Sequence, residues 1–219
     1  MSWYNKLYNK VKVKREDYII NNLEINKDSK VLVLGAFENT IENILKQTGL
    51  SVIYSTDIEN RVEEGKKNII FKKADLNIKI PFEDDYFDYV IADQLIEHLK
   101  EPDIFLEEVH RVLKKGGRAV ISTENLAHIR NILLLALGYP PVNQQYSSRF
   151  NLDIPFLSGY KKEIADPYMC HHKLTTPRIL EDLLILNNFK IIKKHYLNII
   201  NPIVIKRYCY FMTYIIQKI

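Results

Sequence analysis

The sequence predicts an α/β fold built on a doubly wound sheet of seven strands, mostly parallel, with helices on both faces. Short β-branched runs alternate with helical patterns, and these runs are apolar through their length, as in parallel strands covered on both sides. Two β-rich segments close the chain, and we interpret them as antiparallel strands at the carboxyl-terminal edge. The length of 219 residues suits a single domain over 1–219 with elaborations.

The amino-terminal segment, residues 1–27, predicts two helices. Apolar side chains recur at three-to-four residue spacing from Trp3 to Val11 among lysines, which is the pattern of a basic amphipathic helix, and a second helix covers Glu16 to Ile25. We expect these helices to pack on the domain with a solvated lysine face. Peripheral contact with a membrane surface is the alternative.

Strands and helices then alternate. The first strand, Lys30 to Leu34, ends at Gly35, and the pattern that follows places Ile41, Ile44 and Leu45 on one helical face. The other elements predicted before residue 124 are strands over 51–56, 68–71, 87–92 and 118–123, a helical stretch ending at Leu99, and a helix over 102–113 capped by Lys114-Lys115-Gly116-Gly117.

The regular alternation lapses beyond Thr123. A helix over 126–137 leads into a long segment rich in Tyr, Ser, Asn, Asp and Pro, and we interpret 126–174 as a lid or substrate insert within the domain. A helix over 177–187 follows a Thr175-Thr176 cap, and strands over 190–197 and 208–216 complete the predicted sheet.

Composition narrows the class of protein. The 31 basic and 27 acidic side chains leave a net charge of +4, which is too small to indicate nucleic-acid binding by bulk electrostatics. Cys170 and Cys209 lie far apart without CxxC spacing, which disfavours a disulfide scaffold or a thiolate zinc site. No apolar stretch approaches the about 18 residues that cross a bilayer, and the first residues lack the apolar core of a secretory signal. We therefore expect a cytoplasmic protein.

Four candidate binding residues follow the predicted strands at their carboxyl ends, which is where open parallel sheets bind ligands. Gly35 lets the backbone approach a ligand, Asp57 could accept both hydroxyls of a ribose, Asp75 an adenine amino group, and Asp93 lies where a cofactor tail would run. Each carboxylate alone is more typical of a helix or turn cap. Together they favour a nucleotide-type cofactor, while the single Gly35 in place of GxGxxG disfavours hydride transfer.

The stretch around the fourth strand, PFEDDYFDYVIADQLIEHL over 81–99, resembles a signature of the class I S-adenosylmethionine-dependent methyltransferases, in particular their small-molecule and quinone-type members. Residues 107–117, 122–125 and 171–177 resemble the family's next helix, fifth strand and return segment, so that the resemblance spans roughly 30–190. It implies a Rossmann-like fold, S-adenosyl-L-methionine as cofactor, S-adenosyl-L-homocysteine as product, and direct in-line transfer of a methyl group to a small-molecule acceptor.

The resemblance also implies which residues contact the cofactor. These are the four strand-end residues and their chain neighbours Ala36, Phe37, Ile58, Leu76 and Gln94. The first loop departs from the family's pattern, because Val33 replaces an acid and Phe37 and Asn39 replace two glycines. Asn39 tolerates a left-handed backbone, whereas Phe37 adds bulk near the expected methionine moiety. A non-catalytic binding module on the same fold is therefore the competing function.

His98 and His171 are the candidate catalytic residues, since a hydroxyl acceptor would have to lose a proton. An orienting role for His98 and lid anchoring by His171 are the alternatives. A metal site of Cys170, His171 and His172 is disfavoured, because adjacent residues alone cannot furnish tetrahedral geometry, and we predict no metal.

The acceptor is expected to be partly apolar or lipid-linked, because the predicted insert is rich in aromatic residues and proline. An RNA acceptor is a weaker alternative. It is suggested only by the basic amino-terminal segment, which interleaves lysines with Trp3, Tyr4 and Tyr8.

Overall fold

A computed structural model describes residues 3–35, 38–60, 66–142, 144–147, 149–152, 154–155, 161–164, 170–198 and 206–219. The helices are α1 (Trp3–Asn22), α2 (Glu38–Thr48), α3 (Pro102–Val112), α4 (Ile129–Ala136) and α5 (Pro177–Leu186), with short 3₁₀ turns at Ile96–His98 and Lys206–Tyr208. The strands are β1 (Val31–Leu34), β2 (Ile53–Asp57), β3 (Ile69–Lys73), β4 (Phe87–Asp93), β5 (Leu113–Glu124), β6 (Phe189–Leu197) and β7 (Phe211–Lys218). The side chains of residues 3–9, 38, 39 and 206 lie outside this description.

The sheet has seven strands in the order β3-β2-β1-β4-β5-β7-β6, which confirms the predicted fold class. The first five strands pair in parallel, and β7 is antiparallel to both β5 and β6. One detail of the prediction was wrong: β7 is not an edge strand, because it lies between β5 and β6. Strand order reverses between β1 and β4, so the switch point where such sheets bind ligands lies at the carboxyl ends of these two strands.

Helices cover the sheet on both faces. On one face, Ile19 of α1 and Leu23, just after this helix, pack with Ile41 and Ile44 of α2 over strand side chains such as Val33. On the other face α3 and α5 cover strand residues of the opposite parity, in a cluster that includes Leu32, Leu34, Val90, Phe105, Val109, Leu180 and Leu184. Alternate side chains of a strand point to opposite faces, so the apolar strands are buried on both sides as predicted.

The amino-terminal segment forms one helix rather than the two that were predicted. Val11, Arg15, Ile19 and Leu23 recur every four residues and are all buried, so a single stripe packs on the rest of the chain from α1 and the turn that follows it. The stripe includes an arginine, which has a partner at the carboxyl edge of the sheet.

The run from Lys114 to Gly117 does not cap α3 as predicted, because it already belongs to β5. Leu113 pairs with Phe87, the register then shifts, and regular pairing with β4 resumes at Arg118. Helix α4 begins at Ile129, three residues later than predicted, where His128 accepts a hydrogen bond from the Arg130 N–H. Among the described residues, no helix is both long and apolar enough to span a membrane.

Candidate functional site

Gly35 forms the turn at the end of β1, and this position requires a glycine. Its φ is +64°, and a Cβ built on it would stand 2.6 Å from Cδ1 of Leu95, which follows β4. The Gly35 N–H donates to the Thr56 carbonyl at 3.0 Å, which joins the turn to β2. The Leu95 side chain therefore packs directly against the Gly35 backbone at the switch point.

Asp57 and Asp75 lie where the sequence placed them, at and just beyond the carboxyl ends of β2 and β3. Asp57 is 7% exposed, and its Oδ1 accepts from the Glu59 N–H at 3.1 Å, so that Oδ2 is the oxygen suited to a ligand. Oδ1 of Asp75 accepts from both the backbone and the side-chain amide of Asn77, each at 2.9 Å. Both carboxylates thus also make the turn contacts that were the alternative interpretation.

The structure gives Asp93 a partner that the sequence did not predict. Arg15 of α1 donates from Nε to Oδ1 at 2.7 Å and from Nη2 to Oδ2 at 3.1 Å, and the Ser122 hydroxyl also donates to Oδ1. The Arg15 and Asp93 side chains are only 3% and 12% exposed, and the Arg15 guanidinium lies 4.7 Å from the centre of the Phe211 ring. This bidentate pair anchors α1 over the carboxyl end of β4.

The other predicted contact residues differ in where they lie. Gln94 has φ +55°, and its backbone N–H and side-chain amide both donate to Ser122 Oγ. The Leu76 side chain is buried and packs in the hydrophobic core. Ile58 is half-buried and follows Asp57 in the chain. Ala36 and Phe37 fall outside the described residues. Val33, which replaces the family's acid, is buried in an apolar cluster.

The two candidate catalytic histidines lie together. The ring centres of His98 and His171 are 4.6 Å apart in an edge-to-face arrangement, although 73 positions separate the two residues in the chain. Nδ1 of His98 is 3.1 Å from the Cys170 carbonyl oxygen. His98 comes from the 3₁₀ turn after β4, and His171 from the return segment, where it bridges to Gln144.

Two buried carboxylates flank these histidines. Glu97 is fully buried, and its backbone carbonyl accepts from the N–H groups of His172 and Lys173, which ties the return segment to the 3₁₀ turn. Burial, reinforced by the nearby Glu124, raises the pKa of Glu97 to about 8. Glu124, at the end of β5, places Oε2 3.8 Å from Nδ1 of His171. Burial also lowers the pKa of His171 to about 4, so that its ring is neutral at pH 7.

Sequence reasoning missed Arg15, Glu97 and Glu124 as site residues. Arg15 was one of many basic residues in a segment interpreted as a solvated face, but it occupies a buried position of the stripe between Val11 and Ile19. An arginine in an apolar helical stripe was therefore the available signal. The corresponding signal for Glu97 was a carboxylate inside the apolar run from Leu95 to Leu99.

A Rossmann-like sheet with a glycine turn at its switch point and carboxylates on the neighbouring strands defines a protein of the nucleotide-type cofactor-binding α/β class. Comparison with known proteins is more specific. Residues 34–121 match a family described as "Methyltransferase domain". The match confirms the resemblance to the S-adenosylmethionine-dependent methyltransferases over these residues, which are less than half of the chain.

Two curated relatives match part of the chain. The uncharacterized protein MJ1123 of Methanocaldococcus jannaschii is 32% identical over 104 residues, which is 48% of this chain and 44% of that protein. A demethylmenaquinone methyltransferase of Clavibacter sepedonicus is 34% identical over 98 residues, which is 42% of this chain and 40% of that protein. The matches therefore span less than half the length of either relative.

Solved structures share the fold over most of the chain. An S-adenosylmethionine-dependent methyltransferase of Methanosarcina mazei superposes with a TM-score of 0.63 at 21% identity, covering 92% of this chain and 97% of that one. A 1,6-didemethyltoxoflavin-N1-methyltransferase of Burkholderia thailandensis, solved with bound 1,6-didemethyltoxoflavin and S-adenosylhomocysteine, superposes with a TM-score of 0.60 at 14% identity, covering 93% of this chain and 76% of that one. At these identities the likeness concerns the fold.

Proposed function

We propose that this chain is an S-adenosylmethionine-dependent methyltransferase that acts on a small-molecule acceptor. The observation that supports this best is the glycine turn at the switch point, where a side chain at Gly35 would strike Leu95 and where Asp57 stands on the next strand. A backbone cradle beside a carboxylate suits an adenosyl group, because the chain can approach the ligand while a carboxylate accepts from the ribose hydroxyls.

The residues of the carboxyl edge fit the remaining parts of this cofactor. Asp57 would hold the ribose through Oδ2, and Asp75, Ile58 and the main chain at Leu76 would surround the adenine. Asp93 stands at the end of β4, where the amino-acid moiety would lie, and its two bonds to Arg15 would hold its carboxylate in place there. Gln94, with its strained backbone tied to Ser122, would hold the β4 side of the site.

The cofactor would supply an electrophilic methyl group on a sulfonium, which the acceptor takes by direct in-line displacement. The task of the chain is then mainly alignment, since holding the reacting atoms in place supplies effective molarities of about 10⁵ M or more. His98, in the 3₁₀ turn after β4, and His171, in the return segment near Glu124, would face the acceptor and exclude water from it. Because His171 belongs to the return segment, it would connect this segment to the acceptor side of the site.

Several features favour a partly apolar acceptor. Helix α4, directly after β5, exposes Ile132, Leu133, Leu135 and Leu137, the last of them by 73%. Exposed apolar side chains near a site are typical of surfaces that meet an apolar ligand or a lipid. We propose a cytoplasmic enzyme whose α4 side receives such an acceptor. An RNA acceptor stays the weaker alternative, because it rests only on the basic amino-terminal segment.

Calorimetry with S-adenosylmethionine and S-adenosylhomocysteine tests the proposal. We expect micromolar binding by the unaltered protein and a loss of at least about tenfold in Asp57→Asn, since a hydrogen bond to a charged acceptor is worth about 1.5–3 kcal/mol. The control is Asp182→Asn on the exposed face of α5, which should bind as the parent does. The absence of binding heat with both ligands up to millimolar concentration would establish the competing function, a methyltransferase fold used for binding only.

A further inference from the structure

Three potential metal ligands converge beside the proposed cofactor site. One ligand atom from each of Glu97, His98 and His171 can be chosen so that all three lie within 4.8 Å of one another. They come from the 3₁₀ turn after β4 and from the return segment, and the backbone bonds from His172 and Lys173 to the Glu97 carbonyl hold these two segments together. The cluster is therefore set by the fold rather than by sequence neighbours.

The Glu97 carboxylate is the strongest indication that a cation belongs here. The residue is fully buried, and neither carboxylate oxygen has a hydrogen-bond partner within 3.5 Å among the described residues, although the Thr123 hydroxyl lies near enough to stabilise the charged form. Nδ1 of His171 is also buried and also has no hydrogen-bond partner among the described residues. Buried charged groups in proteins are paired or coordinate metals, because desolvation without compensation is costly. Unsatisfied acceptors on residues of one such cluster are what a cation would satisfy.

His98 is oriented as metal-binding histidines are. Its Nδ1 lies 3.1 Å from the Cys170 carbonyl oxygen and, as the protonated nitrogen, donates to it, which makes Nε2 the nitrogen that would contact an ion. Glu124 adds a carboxylate 3.8 Å from Nδ1 of His171. Two imidazoles with carboxylates form a donor set suited to zinc, manganese, iron or cobalt, and less suited to calcium or magnesium.

From this cluster we propose that Glu97, His98 and His171 form a binding site for a divalent transition-metal ion, with Glu124 as a fourth ligand or as the partner that orients His171. This proposal replaces the expectation of no metal, which considered only the adjacent residues Cys170, His171 and His172. Ligands bound at about 2.1 Å in a tetrahedral site stand about 3.4 Å apart, so the three side chains close inward when the ion binds.

The site also narrows the class of acceptor, a consequence that rests on the proposed function. His98 and His171 are partly exposed, whereas Glu97 is not, so an ion held by the three meets solvent or an acceptor on the histidine side. A divalent ion polarises a bound hydroxyl and promotes loss of its proton to solvent. The acceptor is therefore expected to carry an ionisable hydroxyl, whose oxygen forms the new bond to carbon as the methyl–sulfur bond breaks.

Cobalt titration of chelator-treated full-length protein tests the site without any methyl-transfer assay. We expect one Co²⁺ per chain, visible absorption bands of the intensity typical of four- or five-coordinate cobalt, and displacement of the ion by Zn²⁺. Glu97→Gln and His171→Gln should each weaken Co²⁺ binding by more than about 100-fold, since even outer-shell partners cost 10–100-fold. Glu97→Gln replaces a buried carboxyl group by an uncharged amide of the same shape, so we expect it to fold, and circular dichroism checks this for every variant.

His172→Gln and Cys170→Ser are the matched controls. His172 is adjacent to His171 but outside the cluster, and both controls should bind Co²⁺ as the parent does. A near-ultraviolet thiolate-to-cobalt band that Cys170→Ser abolishes would replace the proposal with the Cys170–His171–His172 site. No visible spectrum at millimolar Co²⁺, or unchanged affinity in Glu97→Gln and His171→Gln, would overturn it. Because the titration contains no S-adenosylmethionine, its failure is independent of a failure of cofactor binding.

Discussion

The buried ion pair between Arg15 and Asp93 predicts strong energetic coupling between α1 and the carboxyl end of β4. Its two charge-assisted hydrogen bonds, at 2.7 and 3.1 Å, are each worth about 1.5–3 kcal/mol. Removing one partner of a buried pair typically costs about 3–5 kcal/mol, because the other charge stays buried and uncompensated. With side chains only 3% and 12% exposed, solvent screening here is weak.

We therefore expect Arg15→Met and Asp93→Asn each to lower the free energy of unfolding by about 3 kcal/mol. The double variant leaves neither charge, so its loss should fall short of the sum of the single losses by about 2–4 kcal/mol. Urea unfolding at pH 7 followed by circular dichroism measures all four proteins. In Arg15→Met the Ser122 hydroxyl still donates to the Asp93 carboxylate, so we expect this variant to lose less stability than Asp93→Asn.

The exposed pair between Arg149 and Glu163 is the control cycle. Its atoms are 3.7 Å apart, and its side chains are 73% and 72% exposed, so Arg149→Met and Glu163→Gln should couple by less than about 1 kcal/mol. Coupling in the Arg15–Asp93 cycle no larger than in this control would refute the reasoning. It would mean that the contact does not hold α1 on the site in solution.

Three further variants test local features of the fold. Gly35→Ala should lower the free energy of unfolding by about 2–5 kcal/mol, because of backbone strain at φ +64° and overpacking against Leu95. Gly138→Ala is the control and should cost only about 1–2 kcal/mol, since φ is +79° there and no atom lies within 4 Å of a built Cβ. Equal losses of stability for the two variants in urea would contradict the Leu95 contact. Burial lowers the pKa of His128 to about 4, so from pH 6.5 downward the unfolded chain takes up a proton that the folded chain does not. The resulting loss of stability between pH 6.5 and 4 should be smaller in His128→Asn than in the parent. An unchanged pH profile of thermal unfolding in this variant would contradict the prediction. Thr176→Ala should lower the free energy of unfolding by about 1 kcal/mol while Thr176→Ser should not, because the Thr176 hydroxyl caps the amino terminus of α5. Identical urea midpoints for Thr176→Ala and the parent would show that this cap does not stabilise the protein.

Local patterns predicted the sheet well because its strands are apolar through their length. The runs ending at Leu34 and Ala92 became β1 and β4 within one residue, and Ile41 and Ile44 are buried on one face of α2 as their spacing indicated. The carboxyl-terminal strands were found, but their order was not. A β-rich pattern reports burial on two faces, whereas the position of β7 between β5 and β6 depends on pairings between distant segments.

The site was predictable only in part, for a similar reason. Strand ends identify Gly35 and Asp57 because parallel strands place their carboxyl ends on one edge of the sheet. The partner of Asp93 could not be found this way, because Arg15 is 78 positions away on a helix that reaches the site from outside the sheet. The meeting of Glu97 and His98 with His171 likewise depends on the return segment, whose path no local periodicity encodes.

The central claim is that the turn at Gly35 and the carboxylate of Asp57 hold an adenosyl cofactor at the switch point. A crystal structure of the protein grown with S-adenosylhomocysteine tests it most directly. The ligand should lie across the carboxyl ends of β1 and β2, with both ribose hydroxyls within hydrogen-bond distance of the Asp57 carboxylate. Ligand density elsewhere on the molecule, or a ribose that makes no contact with Asp57, would contradict the account.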